Sequence, residues 1–327
     1  MRLISYCIEI AEMVGDTMLL LLLVGMICFS QTAAQGVVSG LLLWYQAVLP
    51  TLFPCCVVTT MLLQRQSMLP LVRLVQPIFR VLFGVSEAGT YVLLCSLCCG
   101  YPCAAVLTGQ MDASGCLAKQ ELHHLMAFAN VPGPAFLTGF LLKHCFPDSG
   151  ISGGALVMIF FAAAVLLAQI SRLLHSEKAS PSIPALVQEH PNTPFFEDLN
   201  AAIHQALAIQ LQICGCLLFA SALSALLSAL LTHFFSMADG FFCGILTGIL
   251  EMTSGIRLLA KSTHIAAFPA ACGIAAFGGL SVAAQVFSVL QDRKKTRYSL
   301  VEYLVWKIGY GLLVAACAAL VQIIPRL

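Results

Sequence analysis

Long stretches without any charged side chain constrain this chain more than any other feature. A helix needs about 20 consecutive, mostly apolar residues to cross a bilayer. Uncharged runs occupy residues 17–64, 88–111, 149–171, 199–238, 262–291 and 308–325. The longest two, of 48 and 40 residues, have room for two crossings each. Because the runs lack the alternation of membrane strands, they predict an all-α, polytopic helical membrane protein with about eight spans, give or take two.

The overall composition excludes the common soluble classes. Hydrophobic residues make up 60% and charged residues 9% of the 327 residues, and the net charge is +1. About a quarter of the residues of a soluble protein are charged, so this chain cannot surround itself with a hydrated shell. It also lacks the basic surface of a nucleic-acid binder. We therefore expect a multi-pass protein of a cell membrane, with the lipid bilayer as a partner and no nucleic acid.

A polar, proline-rich segment divides the chain. Residues 171–200 contain four prolines and form the only long polar stretch of the sequence. Proline at this density favours an extended, solvated connection. The segment separates a first membrane repeat, residues 1–170, from a second, residues 201–327. Pairs of repeats with inverted topology are common in transporters, so we expect the halves to be pseudo-symmetric and inverted, which makes the shared order of their motifs informative.

Helix-breaking residues interrupt the apolar runs at corresponding places in the two halves. The first half has breaks at 100–102 and 130–134, and the second half has breaks at 251–255 and 277–281. The residues that we expect to interrupt the helices are Pro102, Pro132, Gly133, Pro134, Gly278 and Gly279. Elsewhere, Ser86 before Glu87 is typical of an N-cap that begins a helix.

Interrupted helices point to an internal cavity. Freed backbone groups are costly in hydrocarbon and survive only where protein or a water-filled cavity surrounds them. Polar side chains beside the breaks are therefore candidate solute ligands. They are Asn130, Glu251, Thr253, Ser254, Ser281 and Gln285, with Tyr101 near the site. The alternatives are proline kinks that serve packing alone, a Glu251 at the membrane surface close to Arg257 and Lys261, and a simple interhelical hydrogen bond for Gln285.

Metal and nucleotide motifs are absent from the sequence. Cys99 and Cys103 are four positions apart rather than the three of a C-x-x-C motif, and no phosphate-binding G-x-x-x-x-G-K-[ST] run occurs. We therefore expect no metal site and no cofactor. Coupling of solute transport to an ion, H+ or Na+, remains an alternative. Assembly of the protein as a homo-oligomer also remains an alternative.

Several motifs together resemble a known family. They are Trp44 with residues 49–54, residues 100–105, Glu121 with residues 127–130, residues 133–136, residues 248–255, and residues 277–282 with Gln285. In this order they are similar to the YlbJ-like sporulation integral membrane proteins of the Gate (nucleoside recognition) domain family. The resemblance implies a Gate-like membrane protein with inverted repeats in the cell membrane of an endospore-forming bacterium, with a role in sporulation.

The chain differs from that family pattern at four positions. Val106 replaces a usual basic residue, Ser254 replaces Asn, Ala283 replaces His and Ala104 replaces a common Gly. If the missing polar groups hold a charged solute in relatives, this member has altered selectivity or has lost transport.

The combined expectation is a transporter rather than an enzyme. The small-molecule solute would be polar or anionic, nucleoside-like or a dicarboxylate, and would move by alternating access between the two halves. The rival hypothesis is a non-transporting membrane scaffold or gate component of a sporulation complex. The sequence offers no convincing nucleophile–base pair for an intramembrane enzyme, and we therefore predict no catalytic residues.

Overall fold

The computed structural model describes residues 17, 19–20, 22–64, 69–113, 115–174, 194–235, 240–291 and 298–323. Almost all of these residues are helical, and none of them forms a strand. The α-helices, in chain order, are α1 Leu22–Cys28, α2 Ser30–Leu43, α3 Leu49–Gln64, α4 Leu69–Phe83, α5 Glu87–Cys99, α6 Cys103–Ala113, α7 Lys119–Phe128, α8 Gly153–Leu174, α9 Phe195–Phe235, α10 Gly240–Leu250, α11 Met252–Ala260, α12 Ala267–Phe277, α13 Gly279–Gln291 and α14 Leu300–Ile323. Two π-helical segments, Trp44–Val48 and Phe136–Cys145, complete the set for these residues.

Four helical stretches are long and apolar enough to cross a membrane. They are Gly153–Leu174, Phe195–Leu231, Ala267–Leu290 and Leu300–Ile323. Two sharply bent pairs raise the number to six if each pair is one span: Leu22–Cys28 with Ser30–Gln46, bent by 100°, and Leu69–Phe83 with Glu87–Cys99, bent by 90°. Among the described residues, the all-α, polytopic class is thus confirmed.

The number of spans lies at or below the lower end of the predicted range. The uncharged run 199–238 was expected to have room for two crossings, but a single 41-residue helix, α9, occupies most of it. A run this long can remain one helix because no Gly-Pro pair or polar break interrupts it. The shorter apolar helices Leu52–Leu62 and Gly240–Leu250 do not reach the length of a full span.

The helices are interrupted near all four predicted positions. Between α5 and α6, Gly100 has a positive φ of 79° and the Tyr101–Pro102 peptide bond is cis. Between α7 and the second π-helical segment, residues 130–133 are non-helical, while Pro134 already lies in the first turn of the following helix. Glu251, in extended conformation, separates α10 from α11. The left-handed Gly278 ends α12, and Gly279, with φ of 77°, begins α13.

Within each half, the two breaks touch each other. A Cβ on Gly100 would overlap the backbone nitrogen of Gly133, so these two chain segments cross at a distance that only glycine allows. In the second half, a Cβ on Gly279 would lie 3.1 Å from the Gly248 carbonyl oxygen and 3.2 Å from that of Leu250. Each half therefore holds a pair of crossed, interrupted helices.

The structure leaves the division into repeats as a prediction. Helix α8 ends at Leu174 and α9 begins at Phe195, so most of the predicted 171–200 connection lies outside the described residues. The geometry at each separate break does not test whether the halves are related by inversion. It does not test the repeat boundaries 1–170 and 201–327 either. Ser86 does cap α5, since its hydroxyl accepts a hydrogen bond from the Gly89 amide at 3.2 Å.

The crossing at Gly100 gives the first prediction. Gly100→Ala and Gly150→Ala both place a side chain at positive φ, 79° and 73°, but nothing lies within 4 Å of a Cβ at Gly150. Both variants lose about 1–3 kcal/mol of folding free energy to backbone strain, and Gly100 (φ 79°, ψ −161°) lies in a region that is essentially restricted to glycine. Only Gly100→Ala adds overpacking worth about 1–3 kcal/mol. We expect a clearly lower apparent melting temperature for Gly100→Ala in thermal unfolding of the purified protein. Equal melting temperatures for the two variants would contradict the crossing.

Candidate solute-binding cavity

A cavity of about 550 Å³ lies where the broken helices meet. Both sequence halves contribute to its wall, which is mostly apolar. The lining residues from the first half come mainly from α3, the end of α5 and the second π-helical segment; those from the second half come from α9, the 251 break and α13. Its polar or break-associated lining residues are Tyr101, Pro132, Gly133, Glu251, Thr253, Ser281 and Gln285.

The structure brings most of the predicted site residues to this cavity, and it separates two of them from it. Tyr101, Glu251, Thr253, Ser281 and Gln285 line the cavity. Ser254 lines a different cavity. Asn130 is buried behind the wall, at 1% exposure. Of the predicted helix-break residues, Pro102, Pro134, Gly278 and Gly279 do not line the cavity, whereas Pro132 and Gly133 do.

Glu251 lies inside the protein as the N-cap of α11. Its residue exposure is 1%, so the carboxylate is enclosed by protein. One carboxylate oxygen accepts the Thr253 amide at 2.9 Å, the other accepts the Ser254 amide at 2.7 Å, and the Thr253 hydroxyl lies 2.6 Å from both. The helix N-terminus favours negative charge at this place, so the carboxylate is stabilised by local backbone rather than by a basic side chain.

Ser281 and Gln285 form a polar pair on one face of α13. They are four positions apart, and both are buried at 5–6% exposure while lining the cavity. The Gln285 amide donates to the Ser281 hydroxyl only at the long distance of 3.5 Å. No other hydrogen bond of the Gln285 side chain is found within the described ranges, so its amide is well placed to serve a solute.

Asn130 belongs to a buried polar cluster next to the cavity rather than to its wall. Its amide nitrogen donates to the Tyr303 hydroxyl at 2.9 Å, and its backbone carbonyl accepts from the Lys307 ammonium at 2.9 Å. The Asn130 side-chain oxygen is buried and has no partner. Asn130 thus joins the break at 130–133 to α14, and its predicted solute contact is not what this geometry shows.

Lys307 is the functional candidate that the sequence reasoning missed. The side chain is 1% exposed within α14, and its ammonium lies 4.9 Å from the centre of the Tyr101 ring and 5.1 Å from that of Tyr310. Cation–π contacts and one carbonyl compensate its desolvation in part. Because Tyr101 itself lines the cavity, the Lys307 amine stands one aromatic ring behind the wall. The sequence could have shown this, because an ionisable residue inside a membrane helix is by itself a candidate functional residue.

Side chains also satisfy the ends of the broken helices. The Ser96 hydroxyl donates to the Ala129 carbonyl at 2.5 Å, at the end of α7. The Tyr101 hydroxyl donates to the Ala275 carbonyl, near the end of α12. This second bond connects a break of the first half to a helix of the second half, directly beside the cavity.

Metal-ligand chemistry has no support in the described part of the chain. No group of three His, Cys, Asp or Glu side chains there could hold a metal ion. The neighbouring histidines have separate partners: His123 lies 3.0 Å from Glu302, while His124 contacts Ser171 at 3.0 Å and the Phe83 carbonyl at 2.7 Å. His124 therefore ties α7 to α8 and to the end of α4.

Comparisons with known proteins give one relative. The chain is similar to the sporulation integral membrane protein YlbJ of Bacillus subtilis (strain 168), with 23% identity over 298 aligned residues, which cover 80% of this chain and 71% of the relative. No family model matches the chain, and no solved structure matches it. The wider kinship with Gate-domain proteins therefore stays a prediction. The YlbJ-like resemblance of the motifs is confirmed, and the chain is a multi-pass integral membrane protein similar to a sporulation protein.

Proposed function

We propose that this protein is a sporulation-associated membrane transporter that binds a small organic solute in the cavity between its two halves. The carrying observation is that three side chains capable of hydrogen bonding, those of Thr253, Ser281 and Gln285, and the Glu251 carboxylate line one cavity where interrupted helices meet. Isolated proline kinks that serve packing alone would not be expected to gather polar groups around one space. Solute sites at helix breaks are the common arrangement in secondary transporters.

The size and lining of the cavity define the class of solute. A volume of about 550 Å³ is typical of sites for small organic molecules, whose walls are mainly apolar with a few well-placed polar groups. Phe136, Phe140 and Met252 supply apolar surface for a ring, and Ser281 and Gln285 supply hydrogen bonds for its polar substituents. A nucleoside-like molecule and a ring-bearing dicarboxylate both fit this description.

Charge around the cavity does not exclude an anionic solute. The N-terminus of α11 compensates the Glu251 carboxylate, whereas the Lys307 ammonium has no carboxylate within hydrogen-bonding distance in the described residues. Without an acidic partner in the described residues, this buried amine obtains a counter-ion only from a ligand. An anionic group that enters beside Tyr101 would favour the protonated form of Lys307 and be attracted by it, because interactions are weakly screened in a buried site.

Transport by alternating access would use the crossed breaks. Rocking of one half against the other changes which side of the membrane the cavity faces, and the bond from Tyr101 to Ala275 lies between the halves. A coupling ion, H+ or Na+, would find oxygen ligands at Glu251 and Thr253. The rival role as a scaffold of a sporulation complex needs no solute, so it is an alternative outcome of the binding experiments.

The polar pair on α13 generates a binding prediction. In a thermal-shift screen of nucleosides and dicarboxylates on the purified protein, we expect at least one solute to stabilise the wild type. Ser281→Ala and Gln285→Ala should then weaken its binding about 2- to 10-fold each, the effect of losing one neutral hydrogen bond. The matched control is Ser288→Ala, on the same helix but outside the cavity lining.

A clear negative result is defined for this screen. No stabilising solute, combined with normal complementation of a sporulation defect by Ser281→Ala and Gln285→Ala, would contradict the transporter and support the scaffold. An equal loss of binding in Ser288→Ala would show that the effect comes from damage to α13 rather than from the cavity.

Lys307 provides a test of the solute's charge. We expect Lys307→Gln to weaken binding of dicarboxylates about tenfold or more and to leave nucleoside binding within twofold, because only an anion interacts with the ammonium charge. Lys143→Gln, which removes an exposed lysine, is the control. Dissociation constants from isothermal calorimetry measure both. Equal weakening of both solute classes by Lys307→Gln would mean that Lys307 acts only through the folding of α14.

A further inference from the structure

A second cavity, of about 570 Å³, lies between α2, α9, α10 and α11. It is distinct from the solute cavity, although the two flank the same turn: Thr253 lines the first and the neighbouring Ser254 lines the second. The proposed solute site does not include this space, whose chemistry differs from that of the solute cavity. Its walls are rich in hydroxyl groups, and two basic residues belong to them.

Three helices turn polar stripes toward this cavity. Residues at helical spacing, mostly hydroxyl-bearing or small, line it from each side; they are Thr32, Gln35 and Ser39 on α2, Ser221, Ser224 and Ser228 on α9, and Ser254 and Arg257 on α11 with its C-cap Lys261. Such polar stripes are costly against lipid and are normally directed to a protein interior or a water-filled space. The three stripes converge on one polar chamber. Its inner wall contains the buried residues Ser221, Ser224 and Thr247, and its outer rim carries the exposed side chains of Gln35, Ser39, Arg257 and Lys261.

Two buried hydroxyls in this chamber have no hydrogen-bond partner among the described residues. Ser224 is 2% exposed and Thr247 is 1% exposed, and both residues line the cavity. Their side-chain oxygens are among the buried polar atoms for which the structure gives no partner. Buried hydroxyls in folded proteins are nearly always paired, so these two donors indicate that the chamber is built for a polar ligand.

The charged side chains that line the second cavity favour an anionic ligand. Arg257 lies on α11 and Lys261 is the helical-conformation C-cap four positions later, so both side chains lie on the same side of this helix end. No Asp or Glu is among the described lining residues. The Arg257 guanidinium lies 5.7 Å from the centre of the Phe140 ring. A guanidinium, an ammonium and several hydroxyl donors are the groups that hold phosphate oxygens, with the planar guanidinium able to bind two of them.

We infer that this chamber binds a phosphate group. The bound phosphate belongs either to free inorganic phosphate or to the headgroup of an anionic phospholipid, and the same contacts serve both. Arg257 and Lys261 pair with the anionic oxygens, while Ser224 and Thr247 donate hydroxyl hydrogen bonds from the inner wall. This inference does not depend on the identity of the transported solute, because the residues of the two cavities do not overlap.

The test uses the full-length protein, purified in neutral detergent and phosphate-free buffer. One arm titrates inorganic phosphate, and the other compares mixed micelles of phosphatidylglycerol with those of phosphatidylcholine; the apparent melting temperature is the readout. We expect stabilisation in at least one arm. A response to phosphate alone identifies the free ion, and a response to phosphatidylglycerol alone identifies the headgroup.

Variants separate a specific site from general charge effects. We expect the Arg257→Gln/Lys261→Gln double variant to weaken the response about tenfold or more. The double variant Arg80→Gln/Lys143→Gln removes the same charge from exposed positions outside the chamber and should respond like the wild type. Thr247→Val should raise the melting temperature of the ligand-free protein, since it removes an unpaired hydroxyl, and weaken the response about 2- to 10-fold.

Three results would overturn the inference. They are the absence of stabilisation in both arms, an equal loss in the two double variants, and a Thr247→Val protein that responds like the wild type. If the Arg257→Gln/Lys261→Gln protein does not fold, Thr247→Val and Ser224→Ala decide the question. Ser281→Ala, in the solute cavity, should leave the phosphate response unchanged, so failure of this site and failure of the transporter proposal are distinguishable.

Discussion

The backbone groups freed at four helix breaks are the constraint on which the rest of this structure depends. Water does not reach the hydrocarbon to satisfy them, so the protein supplies partners from within. Glu251 accepts the amides at the start of α11, Ser96 and Lys307 donate to carbonyls at the end of α7 and its break, and Tyr101 donates to a carbonyl of α12. Each break is thereby joined to another element, and the breaks meet around a common space.

Because the breaks meet around one space, residues that stabilise the breaks also lie at or beside the proposed solute site. Tyr101 joins the first half to the second and also lines the solute cavity, and Lys307 joins α14 to the 130–133 break while placing a charge behind that ring. Glu251 begins α11, the helix whose first turn separates the solute cavity from the proposed phosphate chamber. A change of conformation in one break would therefore alter both the contact between the halves and the shape of the space between them.

Local chemistry explains which features were predictable from sequence. Uncharged runs without strand alternation predict helices, which satisfy their own backbone in lipid. Ser86 predicts the start of α5, and clusters of glycine, proline and polar residues predict the breaks. Tertiary packing decided the rest. The uninterrupted sequence of α9 is compatible with one long helix or with two spans, and packing decided for one helix. No local signal shows that Asn130 donates to Tyr303 or that Ser254 lines a different cavity from its neighbour Thr253. Lys307 was overlooked because it stands at the edge of an uncharged run, where a surface position looks equally reasonable.

Reactivity of the native cysteines tests the central claim of a water-accessible cavity at the breaks most directly. Cys98 and Cys99 line the cavity, whereas Cys95, one turn earlier in α5, is packed in the core at 2% exposure. The protein in lipid nanodiscs would be treated with a small, charged thiol reagent, and mass spectrometry would quantify the modification of each peptide. We predict rapid modification at Cys98 or Cys99, an unmodified Cys95, and protection of the cavity cysteines by a bound solute. Cysteines 98 and 99 that are as unreactive as Cys95 would contradict the existence of a wet cavity and, with it, the proposed site.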